Sequence, residues 1–323
     1  MSANSNNNGR AYEFVCIFTL HEEIGRLRPC RIVVNSSYKA AFNAWQSLDS
    51  TLQGLYVLSA KSTINTIFAL EPNIIEPTDE VLQLFIQSDS NGREGDVRDI
   101  IIRRGDIQWE VGLSLKHNHA AVKHSRLSPT SDFGQKWYSV ECSQTYWDAV
   151  APIFNYLNSE KAKGSYFHSL PNKEDDVYVP ILRAFMDEVR CQLESHPEIP
   201  RRMVEYLLSR YDFYKVISID SRRLTTIQSF NMYGTLNQCS RIAAPEIAIP
   251  RLQLPTTLLH ICFKPESKTT VIMTFDNGWQ FSFRIHNAED KVTASLKFDV
   301  QIVGMPTDVN MVLNCTWEDD ESY

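Results

Sequence analysis

A mixed α/β (α+β) chain is the fold class the sequence predicts, with helices and strands interleaved to about residue 240 and a β-rich region beyond it. Three observations carry this. Apolar residues in 37–70, 179–196 and 200–211 recur at three- and four-residue spacing, the period of an amphipathic helix. The segment 95–117 instead reads as two strands around a tight Gly-Asp turn. After residue 240 the texture changes: Pro245, Pro250 and Pro255 punctuate a linker-like stretch, and short β-type runs follow.

In chain order, "MSANSNNNGR" is polar throughout and is expected as a disordered tail, residues 1–10. "AYEFVCIFTLHEEIG" is mostly apolar and fits either helix or strand. Residues 37–70 make one or two helices, and "EVLQLFIQSD" (80–89) fits both states. "NHAAVKHSRL" (118–127) is expected as a short helix. The helix over 143–163 should be interrupted at Pro152, whose ring clashes with the preceding turn and which has no N–H to give. "TLLHICFK", "TVIMTFDN", "WQFSFRIHNA", "LKFDVQIVG" and "NMVLNCTW" are the later strands, with "DNG" (276–278) a hairpin turn, because Asn-Gly readily takes positive φ. The chain thus divides into the tail, a core over 11–240, a β-rich region over 241–314 and an acidic tail over 315–323.

Composition narrows the class. With 43% hydrophobic and 22% charged residues, the 323-residue chain has the make-up of a soluble globular protein. Seven scattered cysteines without a CxxC pair argue against a disulfide framework and a structural zinc, and fit a reducing cytoplasm. No run approaches the roughly 18 apolar residues a membrane helix needs. A net charge of −7 works against a purely electrostatic nucleic-acid binder. The charge is uneven, however: residues 93–126 carry seven Lys/Arg against five Asp/Glu, a local +2, and 201–223 carry six against three, a local +3.

The chemistry concentrates in the hairpin. Asp99 and Glu110 interrupt apolar runs, and Lys116 closes the second one. "RDIIIR" suggests a strand buried on both faces, where an uncompensated acid is costly. If Gly105 and Asp106 form a two-residue loop, Arg104 pairs with Ile107 and Asp99 lies opposite Gly112. Glu110, Gly112, Ser114 and Lys116 then share a face with Asp99, while Asp96 points away. Glu110 and Ser114 would each be diagonal to Asp99, within roughly 7–8 Å. Gly112 would leave room beside Asp99 for a metal or a phosphate. Two acids so placed can share a hard divalent cation, and a lysine at the strand end can neutralise a phosphate.

"RDIII", a short turn and a second strand ending in lysine resemble the PD-(D/E)xK nuclease core. "WEVGLSLKHNHAAVKHSRLS", "DFYKVI" with "SFNMYGTLN", and "FSFRIHNAEDKVTASLKFDV" resemble the HaeIII-type type II restriction endonucleases, over roughly residues 10–305. The resemblance implies a mixed sheet flanked by helices and cleavage of double-stranded DNA at GGCC, between the central G and C, leaving blunt ends. It further implies Mg²⁺ as cofactor, a cytoplasmic enzyme, and a cognate methyltransferase that protects host DNA. Asp99 matches the first acid of the motif and Lys116 its lysine. Ser114 stands where the motif has its second acid, and either Glu110 or Asp132 is expected to replace it. The catalytic set is therefore Asp99, Glu110 and Lys116, with Asp99, Glu110 and Asp132 as candidate metal ligands.

Candidate DNA contacts are His117, Asn118, His119, Lys123, His124, Arg126, Arg222, Arg223, Arg284, His286 and Asn287. Arginine and lysine can pair with guanine edges, and each of these residues equally fits a solvated surface. The contiguous "HNH" at 117–119 is set aside, since HNH nucleases disperse those residues over a ββα unit. A two-fold symmetric site is most simply cut by a homodimer with one active centre per strand. Ser114 also leaves open a DNA-binding protein that keeps the nuclease scaffold without the catalysis.

Overall fold

Local sequence sets several element ends directly. Asn35, Asp49 and Ser143 each take the backbone N–H three residues on, at Tyr38, Leu52 and Tyr146. Such caps satisfy the orphan donors of a first helical turn, and they open α2 (Ser36–Gln46), α3 (Ser50–Leu70) and α6 (Gln144–Ala162). The structure, a computed structural model, describes residues 2–88, 95–118, 123–306 and 311–318. These fall into two compact units: residues 1–120, 211–252 and 308–323 in the first, and 121–210 with 253–307 in the second.

The first unit is built on a seven-stranded mixed sheet in the order β1-β2-β3-β4-β6-β7-β12. Its strands are β1 (Cys30–Ile32), β2 (Leu82–Ile86), β3 (Ile100–Arg104), β4 (Trp109–His117), β6 (Phe213–Ile219), β7 (Leu224–Phe230) and β12 (Val312–Thr316). β1 pairs with β2 and β4 with β6 in parallel; the other neighbours are antiparallel. α1 (Ser2–Gly25), α2 and α3 join Ile100, Ile102, Val111, Leu113, Tyr214 and Val216 in one core, and the short α4 (Pro72–Ile75) adds Ile74. Ile101 is buried on the opposite face, so "RDIIIR" is enclosed on both sides as its isoleucines suggest.

The second unit has a five-stranded antiparallel sheet, β5-β11-β10-β9-β8, formed by β5 (Lys123–Leu127), β8 (Leu258–Phe263), β9 (Thr270–Phe275), β10 (Gln280–Asn287) and β11 (Leu296–Gly304). The helices here are α5 (Phe133–Tyr138), α6, α7 (Val179–Leu193) and α8 (Ile199–Leu208). Trp137 of α5 and Phe185 of α7 meet Phe283 and Phe298 of the sheet at ring-centroid distances of 5.2–6.0 Å, the heart of this core.

Several expectations need correcting. Residues 123–127 form a strand, not a helix: buried Ser125 and Leu127 flank exposed Arg126, a period of two, and β11 supplies the pairing. α6 runs through Pro152 without interruption, because Pro152 and Asp148 lie on the solvent side, where water can reach the carbonyl left without its N–H. The polar start is helical from Ser2 as an extension of the buried segment Ala11–Ile24, since adding turns to an existing helix costs little. The late strands do not form one block: β8–β11 pair with β5, whereas β12 adds to the sheet of the first unit.

Candidate active site

The hairpin loop has four residues, Gly105–Gln108, not two. Arg104 pairs with Trp109, and Ile100 with Leu113. Gln108 takes a left-handed φ of 51° and donates to the Gly105 carbonyl (3.3 Å), while Glu80 Oε1 accepts the N–H groups of Gly105 (2.7 Å) and Asp106 (2.9 Å). The register therefore shifts by two residues from the one a Gly-Asp turn would set. A shift of two keeps every side chain on its face but moves its neighbours.

Asp99 lies just beyond the last registered pair. Its N–H donates to the Leu113 carbonyl (2.7 Å), and its Oδ2 accepts from the Leu115 N–H (2.6 Å) and from Lys116 Nζ (3.4 Å). Among the described residues, no hydrogen bond to Oδ1 is formed, so one carboxylate oxygen is open to a ligand. Ser114 stands between Gly112 and Lys116 on that face, and Lys215 of β6 lies beside Ser114 across the parallel pairing. A fixed acid and a lysine thus meet at the end of two buried strands.

Glu110 is not a partner of Asp99. It accepts from Arg98 Nη1 (2.9 Å) at one oxygen and from Arg103 Nη2 (2.8 Å) and Nε (3.1 Å) at the other. Burial alone would raise its pKa, but the hydrogen bonds of Arg103 and Arg98 overcome this and hold it below the ordinary value. Nor is the space beside Gly112 vacant. A Cβ there would come within 2.1 Å of Arg98 Cδ, so the Arg98 side chain fills it. Arg98 also binds Asp96 through Nε and Nη2 (2.8 Å each) and lies 4.1 Å from the Tyr211 ring centroid.

A model of the HaeIII restriction endonuclease family matches residues 9–306 of the chain. The type II restriction enzyme HaeIII of Haemophilus aegyptius is 48% identical over 324 residues, covering 99% of this chain and 100% of that protein. The chain belongs to the HaeIII restriction endonuclease family. It is a type II restriction endonuclease, a site-specific deoxyribonuclease. No solved structure matches it.

The other residues singled out in this family member fall in both units. In the first, His117 points away from Lys116. Its Nε2 lies 2.7 Å from Asp220 Oδ2, its Nδ1 lies 3.1 Å from the Tyr56 hydroxyl, and its ring packs edge-on to Tyr56 at 4.7 Å. Asn118, at φ 57°, donates to Asp220 Oδ2 (2.9 Å) and accepts the Asp220 N–H (3.0 Å). Arg222 and Arg223 are exposed in the turn after β6. His119 lies outside the described residues.

In the second unit, Asp132 caps α5, accepting from the N–H groups of Gln135 (2.9 Å) and Cys142 (3.0 Å), so both its oxygens have structural partners. Register aligns Arg126 with Lys297 and Lys297 with His286, a basic row across three strands. Arg284 is exposed beside Asp299, to which His124 is also registered; Lys123 pairs with Val300. His286 Nδ1 lies 2.8 Å from the Asn287 carbonyl, and Asn287 accepts from the Tyr178 hydroxyl (3.2 Å). "WQFSFRIHNA" alternates as read: Phe281, Phe283 and Ile285 are buried, and Arg284 is exposed.

Sequence reasoning passed over three residues. Lys297 completes the basic row. Lys215 is buried beside Ser114, and burial first, then the charge of Lys116, lower its pKa to about 8. Glu13 of α1 has an electrostatic signature: burial raises the Cys16 thiol, and the charges of Glu13 and Asp99 both raise it further. Lys215 was visible as a lysine inside "FYKVISI", the same kind of signal that exposed Asp99. Glu13 was not, because nothing in a local window ties a helix to a hairpin some 90 residues on.

Proposed function

We propose that this enzyme hydrolyses double-stranded DNA at GGCC, between the central G and C, with Mg²⁺ as its divalent metal. The observation that carries the assignment is Asp99 Oδ2 held by the Leu115 N–H and Lys116 Nζ, with Oδ1 open. Type II restriction endonucleases generally use a divalent metal. Among the described residues no group of three or more His, Cys, Asp or Glu is arranged to hold one. That sparse donor set fits Mg²⁺, which usually keeps several waters and takes one or two carboxylates plus substrate phosphate. Asp99 is the first carboxylate. Glu110, held by two arginines, and Asp132, engaged as a helix cap, are poor choices for the second. The metal supplies charge neutralisation at the phosphate and a more acidic water.

The chain's own groups do the rest. Asp99 is fixed by a backbone N–H and so presents its free oxygen without having to reorganise. Lys116 neutralises charge developing on the phosphate and orients the attacking water through its N–H donors. The water oxygen forms the new P–O bond and releases one proton to solvent, while the leaving oxygen departs with the electron pair of the broken bond and takes up a proton from solvent. Arg222 and Arg223 in one unit, and Arg126, Lys297, His286 and Arg284 in the other, supply phosphate and guanine contacts. GGCC is two-fold symmetric, and the enzyme acts as a dimer with one centre per strand. A cognate methyltransferase protects the host's own sites.

The test is digestion of DNA of known sequence, with the fragment ends mapped. Wild type should give GG/CC ends with Mg²⁺ and none with EDTA. Asp99→Asn and Lys116→Ala should each lose cleavage by about 100-fold or more while still binding the duplex. Glu110→Gln should not fall with them, since its carboxylate is engaged by Arg98 and Arg103. Near-normal turnover by folded Asp99→Asn or Lys116→Ala would sink the site.

A further inference from the structure

Lys116 sits on a part of β4 that has lost one of its two strand neighbours. β3 is registered with β4 from Trp109 to Leu113, whereas β6 runs alongside from Leu113 to His117. On the flank that β3 leaves, Asp99 Oδ2 takes the Leu115 N–H. A strand end with a single ladder opens more easily than one paired on both sides. The lysine needs a fixed place, so what holds this end matters.

The strand ends in a clamp. His117 Nε2 lies 2.7 Å from Asp220 Oδ2, and Nδ1 lies 3.1 Å from the Tyr56 hydroxyl. A carboxylate only accepts, so Nε2 carries the proton and donates it to Asp220, and Nδ1 accepts from Tyr56. Tyr56 is fully buried in α3, which fixes one side of the ring. The His117 and Asp220 side chains are only 12% and 21% exposed, so water competes little for their bond. Asn118 repeats the grip. Its Nδ2 donates to Asp220 Oδ2 (2.9 Å), its Oδ1 accepts the Asp220 N–H (3.0 Å), and its own N–H donates to the Ser218 carbonyl (2.8 Å). It does so at φ 57°, a left-handed conformation that asparagine tolerates better than most residues.

The far side of the clamp bears on DNA as well. Asp220 opens the turn Asp220–Arg222 between β6 and β7, and its carbonyl accepts the Arg223 N–H at 3.1 Å. One set of bonds therefore joins the strand end that carries Lys116 to the turn that carries Arg222 and Arg223. An apolar side chain at 117 could fill the same space, since the ring lies 4.7 Å from that of Tyr56 and 6.2 Å from that of Tyr12. It could not supply the bond to Asp220.

We propose that His117 is a positioning residue for cleavage: its Nε2–H bond to Asp220, backed by Tyr56 and Asn118, holds the end of β4 so that Lys116 stays within reach of Asp99 and in fixed relation to the arginine turn. This rests on the reading of Lys116 as a cleavage residue. His117 points away from Lys116 and works through the backbone of β4, not on the substrate. A misplacement of about 1 Å at a catalytic group can cost about 100-fold in rate, so the clamp bears on rate before affinity.

Single-turnover cleavage of a GGCC duplex at saturating enzyme with Mg²⁺, duplex binding with Ca²⁺ in its place, and urea unfolding test this on the full chain. His117→Leu should cut at least about tenfold more slowly, with duplex affinity within about threefold of wild type. His117→Gln, which keeps an N–H donor near the position of Nε2, should recover most of that loss. Asp220→Ala should slow cleavage as much as His117→Leu, and the double variant should lose no more than about threefold further, because both remove one bond. Cleavage by His117→Leu within about threefold of wild type overturns the proposal, and so do losses that multiply in the double variant. A defect seen in affinity and not in rate overturns it too, by making His117 a DNA contact. Loss of cooperative unfolding in both position-117 variants would make the histidine a folding residue and equally overturn it. Lys116→Ala separates the two readings: its inactivity beside a fully active His117→Leu removes only this proposal, whereas normal cleavage by Lys116→Ala removes the reading beneath it.

Discussion

Replacing Glu71 with glutamine should erase a pH dependence of stability that the fold builds in. Glu71 joins the end of α3 to α4 and is fully buried. Its Oε1 accepts from the Tyr214 hydroxyl and the Asn237 N–H, each at 2.6 Å, while Oε2 has no partner among the described residues. Burial raises its pKa from 4.5 to about 7 against the pull of those two donors. Between those values the folded chain keeps a proton that the unfolded chain has lost, so stability is full below about 4.5, falls as pH rises, and levels off above about 7. At about 1.4 kcal/mol per pH unit this amounts to roughly 3 kcal/mol. Glutamine keeps the Oε1 acceptor and cannot ionise; any cost of its buried amide is the same at every pH. Urea midpoints at pH 4.5, 5.5, 6.5 and 8 should therefore converge or cross, with the difference between variant and wild type changing by about 1 M for an m-value of about 3 kcal/mol/M. Parallel curves across that range would refute the reasoning.

Three other outcomes follow from the geometry. Gly112→Ala should destabilise the protein by about 1–3 kcal/mol, since the new Cβ meets the Arg98 stem and overpacks it; a variant with an unchanged urea midpoint would mean Arg98 moves aside freely. Duplex affinity, measured with Ca²⁺, should fall with log salt at a slope of about −0.9 per neutralised phosphate despite the net charge of −7. A slope shallower than about −2 would deny the arginines and lysines their proposed role. Sedimentation of the complex should give two chains per GGCC duplex, and one chain per duplex would exclude a dimer.

Elements whose partners lie within a few residues were legible. α7 and α8 carry their apolar stripes in sequence, and β9, β10 and most of β11 carry a period-two alternation that burial confirms. The turn at 276–278 takes positive φ at Asn277 and Gly278 as its composition demands, though it holds three residues. What local pattern could not give was pairing. The stretch 123–127 is a strand because β11 accepts it. α6 survives Pro152 because of which side faces water. β12 leaves the neighbouring strands for β7, a choice made by contacts roughly 85 residues apart.

The hairpin shows where the same limit falls within the active site. Assigning faces needs only the parity of the chain, and an even change of register preserves parity. Asp99, Ser114 and Lys116 were therefore grouped correctly from alternation alone. Assigning neighbours needs the loop length, which depends on Glu80, a residue outside the hairpin that takes the Gly105 and Asp106 amides. With four loop residues in place of two, Glu110 moves two steps further from Asp99, about 7 Å along the strand. There it meets Arg98 and Arg103, and the Arg98 stem fills the gap that Gly112 was read as leaving for a ligand. A glycine in a strand thus marked a close approach, but of a side chain from the same chain. The hairpin keeps its acid and its lysine, Asp99 and Lys116, on one face by parity alone, while what lies beside them is set by pairing across the sheet, as with Lys215 of β6 next to Ser114.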